Sequence, residues 1–591
     1  MTLAGHLSTL EASGLIRLAQ VQPEIEYLFR HSLVQEAAYG SLVKNDRKRL
    51  HLAAGEALER LYPQRLESLE LAPRLADHFC EAGDDARALS YSTLAGDAAF
   101  RQYANAEAAE HYKRALDAAV RLSAPGDQVI RLYLCRGRAL ELSAQYEQAL
   151  SNYDEMQALA AGRADRAMEL ASLMARATLR ATVNPVTDPA QAQSLSQEAL
   201  GLARELGDRA AESKILWNLM LNNLFTSPDP QQAIAYGEQS LSLARELGLR
   251  EQLAFTLNDL AKGYLFSLQL TRALEPLEEA RELWQELGNL PMLAENISVF
   301  ASHHRYAGNY DQAIRASEES LRISQSIHNL FGQAQSRMMI QEVYLEIGQP
   351  DKALEVIAET IRLANLSGHL GAVFISQTSM AWVYGTLGAI GQAVELIQQL
   401  IASSAGSVTV YSAMWLAILA RLHLLAGDTE QAAAAMEEIY RQPTTKGIGF
   451  WTFSVALAEG ELAFSNGDHL GAITAMDELL VLLRSRGCRA YIPEALSIKG
   501  RAVLAQVRLD EAHEILAEAR AEAEAQGARR ILWLILATQG EIESQRGNLA
   551  EAQAVRLEAR EIVQYIADHA PPELRDSFLA RPEVRDVMRE T

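Results

Sequence analysis

The sequence predicts an all-α fold, an α-solenoid superhelix of about twelve helix-turn-helix repeats, with a small helix-and-hairpin element in front. Three observations predict it. A phrase of Gly, then Asn or Asp, then an Ala that opens an amphipathic run recurs along the chain. Its Ala returns at a near-constant interval, and small and large residues keep fixed offsets from that Ala. Composition agrees: Pro is scarce, 16 in 591, against a usual level of about 5%, and Ala, Leu, Glu, Gln and Arg favour helix.

The phrase reads GNYDQAI (308–314), GQPDKAL (348–354), GDTEQAA (427–433), GDHLGAI (467–473) and GNLAEAQ (547–553). The marker Ala stands at 233, 273, 313, 353, 393, 432, 472, 512 and 552, in steps of 40 with a single 39. Upstream, Ala108, Ala149 and Ala192 continue the series in steps of 41, 43 and 41. Five residues before the marker stand Gly308, Gly348, Gly388, Gly427, Gly467 and Gly547. Glycine there can take the left-handed conformation that ends a helix. Twelve before it, nine units carry Gly or Ala, among them Gly96, Ala261, Ala301, Gly460 and Gly500; seven after it, small residues such as Ala115, Ser240, Ala280 and Ala519 dominate. Two helices that cross closely need small residues where their backbones approach. Nine before the marker the slot is large: Tyr264, His304, Tyr344, Tyr384 and His423. The spacing predicts helices of roughly 17–18 residues, ~26 Å long at 1.5 Å per residue.

This small–large–small pattern resembles the tetratricopeptide repeat, whose usual length is 34 residues; each unit here is about six longer. HEAT and armadillo repeats run about 40–47 residues, but the Gly-before-Ala phrase and the small-residue offsets favour the tetratricopeptide reading.

The chain begins differently. LAGHLSTLEASG (3–14) reads as a helix ended by Gly14, LIRLAQ (15–20) and EIEYLF (24–29) as two short strands, and Gln22-Pro23 as the turn between them. A helix followed by a two-stranded wing is the last part of a winged helix. Helices follow near 31–43, 45–61 and 67–82. The expected organisation is a winged-helix remnant at 1–30, linking helices at 31–85, the solenoid at 86–570 and a C-terminal tail or cap at 571–591. The stretch 27–59, through Phe29-Arg30-His31, Glu36, Tyr39, His51 and Glu56, resembles the junction that follows the ATPase and winged-helix modules of multidomain bacterial signal-transduction ATPases. PPELRDSFLARPEVRDVM (571–588) resembles the way such chains finish. The resemblance implies a regulatory or sensor arm working with an ATPase, cyclase or kinase module.

The ATP site of that family needs a GxxxxGK[ST] loop. No Gly-Lys dipeptide occurs in the sequence, so the ATPase module is expected to be truncated away or separately encoded. GIG (447–449) lacks the third glycine of a dinucleotide loop, and no HExxH, GxSxG or EF-hand pattern occurs. Neither a cofactor nor a metal is expected. In DHFCE (77–81), Asp77, His78, Cys80 and Glu81 read better as a packed helix than as a metal site. His303 and His304, in ASHHRYAGNYDQA (301–313), dissolve into the register: His304 fills the large slot, leaving His303 and Arg305 unassigned. Cys80, Cys135 and Cys488 are far apart and form no CxxC pair, which fits a reducing cytoplasm. A net charge of −22 repels phosphate backbones, and the basic run KNDRKR (44–49) reads as a solvated helix face. No apolar run reaches the ~20 residues of a membrane span, and no signal-peptide pattern opens the chain.

A two-helix solenoid presents a concave surface lined by the first helix of each unit. Positions 15 and 11 before each marker should face it: Asn218 and Asn222, Asn258 and Lys262, Ser298 and Ser302, Met338 and Glu342, Thr378 and Trp382, then Arg421 and Glu461, with Arg305 one turn beyond Ser302. Trp and Arg are frequent binding hot spots. The expected function is a non-enzymatic scaffold or sensor arm that takes a protein or peptide partner in this groove. The alternative is an inducer sensor with a small molecule inside the superhelix.

Overall fold

In the computed structural model, residues 2–20, 25–66, 68, 70–226, 230–403, 411–441, 449 and 451–589 are described. The turn expected at Gln22-Pro23 and most of GIG (447–449) lie outside them. The chain divides into two compact units, 1–143 and 144–591.

In the first unit, helix Leu3–Ala12 ends at Gly14, whose φ is +74°. Strands Ile16–Gln20 and Glu26–Phe29 pair antiparallel, Ile16 opposite Phe29. Helices Ser32–Ser41 and Lys44–Leu61 follow. The next helix spans Leu71–Ala82, starting later than the sequence suggests. The Ser68 hydroxyl accepts from the Leu71 N–H at 3.2 Å and holds its start as a turn. Helices Asp85–Arg101, Asn105–Arg121 and Gly126–Leu142 complete the unit.

The second unit is a run of ten helix hairpins, from Arg166–Ala181 with Pro189–Leu206 to Arg529–Gln545 with Leu549–Asp568, entered by helix Tyr146–Arg163 and closed by the short helices Pro572–Ala580 and Pro582–Met588. It is a TPR-like α-solenoid. Its helices mostly span 14–18 residues. The register explains the packing. All twelve marker alanines are at most 1% exposed. The small partners have no room to grow: a Cβ on Gly500 would lie 2.7 Å from Leu516, and one on Gly460 2.5 Å from Met476. Five residues before the marker the backbone is left-handed wherever that slot is described except at Thr187, both at the glycines and at Tyr103, Ala144, Leu268 and Val507. Because each helix hairpin turns there regardless of residue type, tertiary packing dictates the conformation and glycine only removes its strain. One departure interrupts the pattern. The first helix of the fifth hairpin is broken into Leu330–Met338 and Gln341–Glu346.

Within the second unit the superhelix returns on itself. The Asp351 N–H donates to the His569 carbonyl at 2.9 Å, the Gln349 side chain to the Tyr565 hydroxyl at 2.9 Å, Arg581 to the Thr386 carbonyl at 2.6 Å, and the Tyr146 hydroxyl to the Ser367 carbonyl at 3.1 Å. Phe453 stacks on Tyr491 at 3.8 Å between ring centroids, and Tyr306 closes on both. Several of these contacts join residues 195–221 positions apart, about five repeats of ~40 residues, so one superhelical turn brings repeats about five apart into contact.

Candidate binding site

The expected groove positions lie on the first helices of their hairpins, where most bond to the neighbouring repeat. Asn218, Asn258 and Ser298 are fully buried. Thr178 donates to the Asn218 side-chain carbonyl at 2.8 Å, and Asn296 to that of Asn258 at 3.1 Å. Asn222 donates to Gln193 at 3.3 Å. Lys262 pairs with Asp259 at 2.8 Å and with Glu295. Arg305 pairs with Glu342, which also accepts from Ser379 at 3.1 Å. Ser302 is half-buried, and the Trp415 indole donates to Thr378 at 2.8 Å. Met338 is buried. These rungs run between adjacent repeats and hold their register.

The rungs converge on an ionic hub. Arg421 forms a bidentate pair with Glu461, at 2.9 and 3.0 Å, and reaches Glu494 at 2.6 Å. Arg530 takes the other Glu494 oxygen at 2.9 Å and Glu346 at 2.7 Å. Arg421 and Glu494 side chains are both 8% exposed. Trp382 is half-buried rather than exposed, with the Arg421 guanidinium 4.4 Å and that of Arg530 5.9 Å from its ring centroid. Burial opposes ionisation of Glu494, but the Arg421 and Arg530 charges and hydrogen bonds outweigh it and draw its pKa down to about 2. Burial raises the pKa of Glu346 against the pull of Arg530, and the nearby Glu494 and Glu342 charges add to the rise. The same carboxylates hold Arg421 and Arg530 above the ordinary guanidinium value against burial.

Beside the hub lies a cavity of about 130 Å³. Arg421, Arg530, Arg501 and Arg581 line it with Glu461, Glu494 and Glu583, and its apolar wall includes Trp382, Trp533 and Phe578. Of the expected groove residues, Trp382, Arg421 and Glu461 reach it. Arg501 and Ser497 were not among the residues singled out from the sequence. The same arithmetic finds them: they stand 11 and 15 before Ala512. Arg530, Glu494 and Arg581 lie off that register.

His304 is half-buried rather than a core side chain, near Phe300 and His303 at 6.5 and 5.6 Å between centroids. Burial lowers the pKa of both histidines. In the first unit, Tyr39 bonds His51 at 3.0 Å, His51 bonds His78 at 3.0 Å, and Tyr39 donates to Glu81 at 3.4 Å. Asp77 pairs with Arg114 and Cys80 lies against Ser92, so the DHFCE side chains are spread over several partners.

The first 61 residues also expose apolar side chains in excess. Leu3, Ile25, Leu33, Val43 and Leu61 are 64–76% exposed, and twelve of the 27 large apolar residues exposed among the described residues fall here. Helices Leu3–Ala12 and Ser32–Ser41 bury none of their own residues.

Several solved structures are similar to this chain. A Rap protein complexed with Competence and Sporulation Factor is 12% identical over 76% of this chain and 100% of that one, with a TM-score of 0.42. The Cut9–Hcn1 hetero-tetramer of APC/C is 13% identical over 94% of this chain and 98% of that one, with a TM-score of 0.45. A Signal Transduction ATPase with Numerous Domains carrying a tetratricopeptide repeat sensor, from Pyrococcus horikoshii, is 14% identical over 73% of this chain and 57% of that one, with a TM-score of 0.34. No protein-family model matches the chain, and no curated protein matches it in sequence.

Proposed function

We propose that this chain is a non-enzymatic protein-interaction arm of a bacterial signalling system built around an ATPase, and that residues 2–61 are its docking surface. The observation that carries the reading is the concentration of exposed apolar side chains there, on a hairpin and helices with almost no core of their own. Exposed apolar clusters of this kind mark association surfaces. The segment overlaps the stretch 27–59 that resembles the junction behind an ATPase module, which supports an ATPase-bearing partner. The test is a photo-crosslinking amino acid at Leu33, with one at Leu557, also exposed, as control. Leu33 is expected to trap a polypeptide with a P-loop and Leu557 is not; a Leu33 probe that traps no such chain contradicts the reading.

A second reading is favoured by one observation, the cavity at the hub: a sensor whose small ligand sits inside the superhelix. Trp382 is then its binding residue from the first-helix track, with Arg421 and Glu461 paired in the wall beside it, while Asn218, Asn258 and Ser298 keep structural roles.

A further inference from the structure

The cavity's positive charge is unevenly satisfied. Arg421 and Arg530 are saturated by Glu461, Glu494 and Glu346. Arg501 lines the same cavity, yet among the described residues it has neither an ion pair nor a hydrogen bond; the Phe464 ring lies 4.6 Å from its guanidinium, and Glu461, Glu583 and Glu541 act on it only from beyond ion-pair distance. Arg581 has a carbonyl, that of Thr386, and Glu583 no nearer than 3.8 Å. Burial pulls both guanidinium pKa values below the ordinary one, the reverse of Arg421 and Arg530. An independent observation points the same way. Ser497 lines the cavity and is 1% exposed, and among the described residues its hydroxyl oxygen has no hydrogen-bond partner. A buried polar atom without a partner costs stability unless something else supplies the bond.

Ser497 and Arg501 are four residues apart on helix Ile492–Ala505 and so share one face. That face offers one hydroxyl donor and one guanidinium fork, the geometry that matches a carboxylate. Trp382, Trp533, Phe578 and Ile566 form the opposing apolar wall. A cavity of about 150 Å³ accommodates benzene, so about 130 Å³ suits an apolar body of that size or smaller.

From this geometry we infer that the cavity is a binding site for a small organic carboxylate, its head held by Arg501 and Ser497 and its apolar body against Trp382 and Trp533. The inference rests on the sensor reading and names its ligand class. The walls come from helices Leu370–Thr386, Ile492–Ala505 and Arg529–Gln545 and from the C-terminal cap, so an occupant bridges elements far apart in sequence. Ligand binding thereby favours the closed superhelix.

The test is calorimetric titration and thermal melting of the full chain with benzoate, benzyl alcohol and inorganic phosphate. Benzoate is expected to bind saturably and raise the melting temperature. Arg501→Met and Arg501→Lys are each expected to weaken it at least about tenfold, since Lys lacks the planar fork, and Ser497→Ala to weaken it less. Without ligand, Arg501→Met melts close to the wild type, because the cation it removes has neither an ion pair nor a hydrogen bond among the described residues; a Met variant that melts several degrees lower makes Arg501 structural and overturns the inference. Benzyl alcohol binding as well as benzoate keeps the sensor reading and overturns the carboxylate. Phosphate binding alone, or benzoate binding indifferent to Arg501 and Ser497, also overturns it. Binding of none of the three overturns the sensor reading as well. Should the Met variant fail to fold, Ser497→Ala and Arg501→Lys carry the decision.

Discussion

Glu494→Gln is the substitution that probes the hub most sharply, since it removes one charge and keeps the side-chain shape. In the folded protein this carboxylate neutralises two guanidiniums at once, at 2.6 and 2.9 Å, with 8% of its side chain exposed. Holding its pKa at about 2 instead of the ordinary 4.5 is worth roughly 3 kcal/mol, at about 1.36 kcal/mol per pH unit. That lies at the lower end of the about 3–5 kcal/mol lost when one partner of a buried pair is removed, as it should, because Arg421 keeps Glu461 and Arg530 keeps Glu346. The sign for pH follows from the depressed value. The contribution is complete above pH 4.5 and is lost as pH falls towards about 2. Glu346 acts in the opposite sense: its pKa is raised by burial, so its protonation on acidification relieves a cost. Urea unfolding at pH 7 and across pH 5 to 2.5, read together with hydrogen exchange on helices Ser412–Leu425 and Arg529–Gln545, measures both effects. The variant should be less stable at neutral pH, with a shallower acid dependence and faster exchange in those two helices. A variant as stable as the wild type at pH 7, with an unchanged acid limb, would falsify the claim that Glu494 ties the distant repeats together.

Two hairpin turns separate closure from local strain. A Cβ on Gly388, at φ +85°, would lie 2.6 Å from the Ser577 carbonyl oxygen of the C-terminal cap, whereas one on Gly427, at φ +77°, meets nothing. Gly427→Ala should cost about 1–2 kcal/mol from the left-handed backbone alone, and Gly388→Ala clearly more; equal melting temperatures would mean the cap is not seated on that turn. At the helix crossings, Gly500→Val should cost about 1–3 kcal/mol or more, because Leu516 stands 2.7 Å from the first added carbon; chemical unfolding that shows no loss contradicts the close approach. Leu33→Glu should leave stability within ~0.5 kcal/mol of the wild type while abolishing crosslinking to the ATPase-bearing partner from a second probe at the exposed Val43.

The sequence carried the repeat because each repeat packs on its neighbour through fixed offsets. The alanine marker, the left-handed slot and the small crossing residues are constraints within one helix hairpin, so they recur every 40 residues and can be read without coordinates. A second ruler of the same kind lies in the turns between hairpins, which carry positive φ at Gly207, Gly248, Gly288, His328, Gly368, Gly487 and Gly527. Closure was not legible. It depends on a small rotation per repeat summed over about five of them, and no local pattern ties Arg530 to Glu346 or Asp351 to His569. For the same reason the first-helix track does not tell what each of its residues meets. Asn258 meets Asn296 on the next repeat, while Arg421 meets Glu494, 73 positions away. Ser497 and Arg501 sat on the track one repeat further along, and only the cavity singles them out.

Closure of the second unit on itself is what makes a hub and a cavity out of residues that are far apart in sequence. Disulfide trapping tests it most directly. The Asp351 N–H lies 2.9 Å from the His569 carbonyl, which brings the two backbones within the reach of a disulfide. With Cys80, Cys135 and Cys488 replaced by Ser, the double variant Asp351→Cys and His569→Cys should oxidise to an intramolecular crosslink in a monomer, with the 351–569 peptide pair found by mass spectrometry. Free thiols at both positions after oxidation, in a protein whose helix content is unchanged, would contradict the closed superhelix.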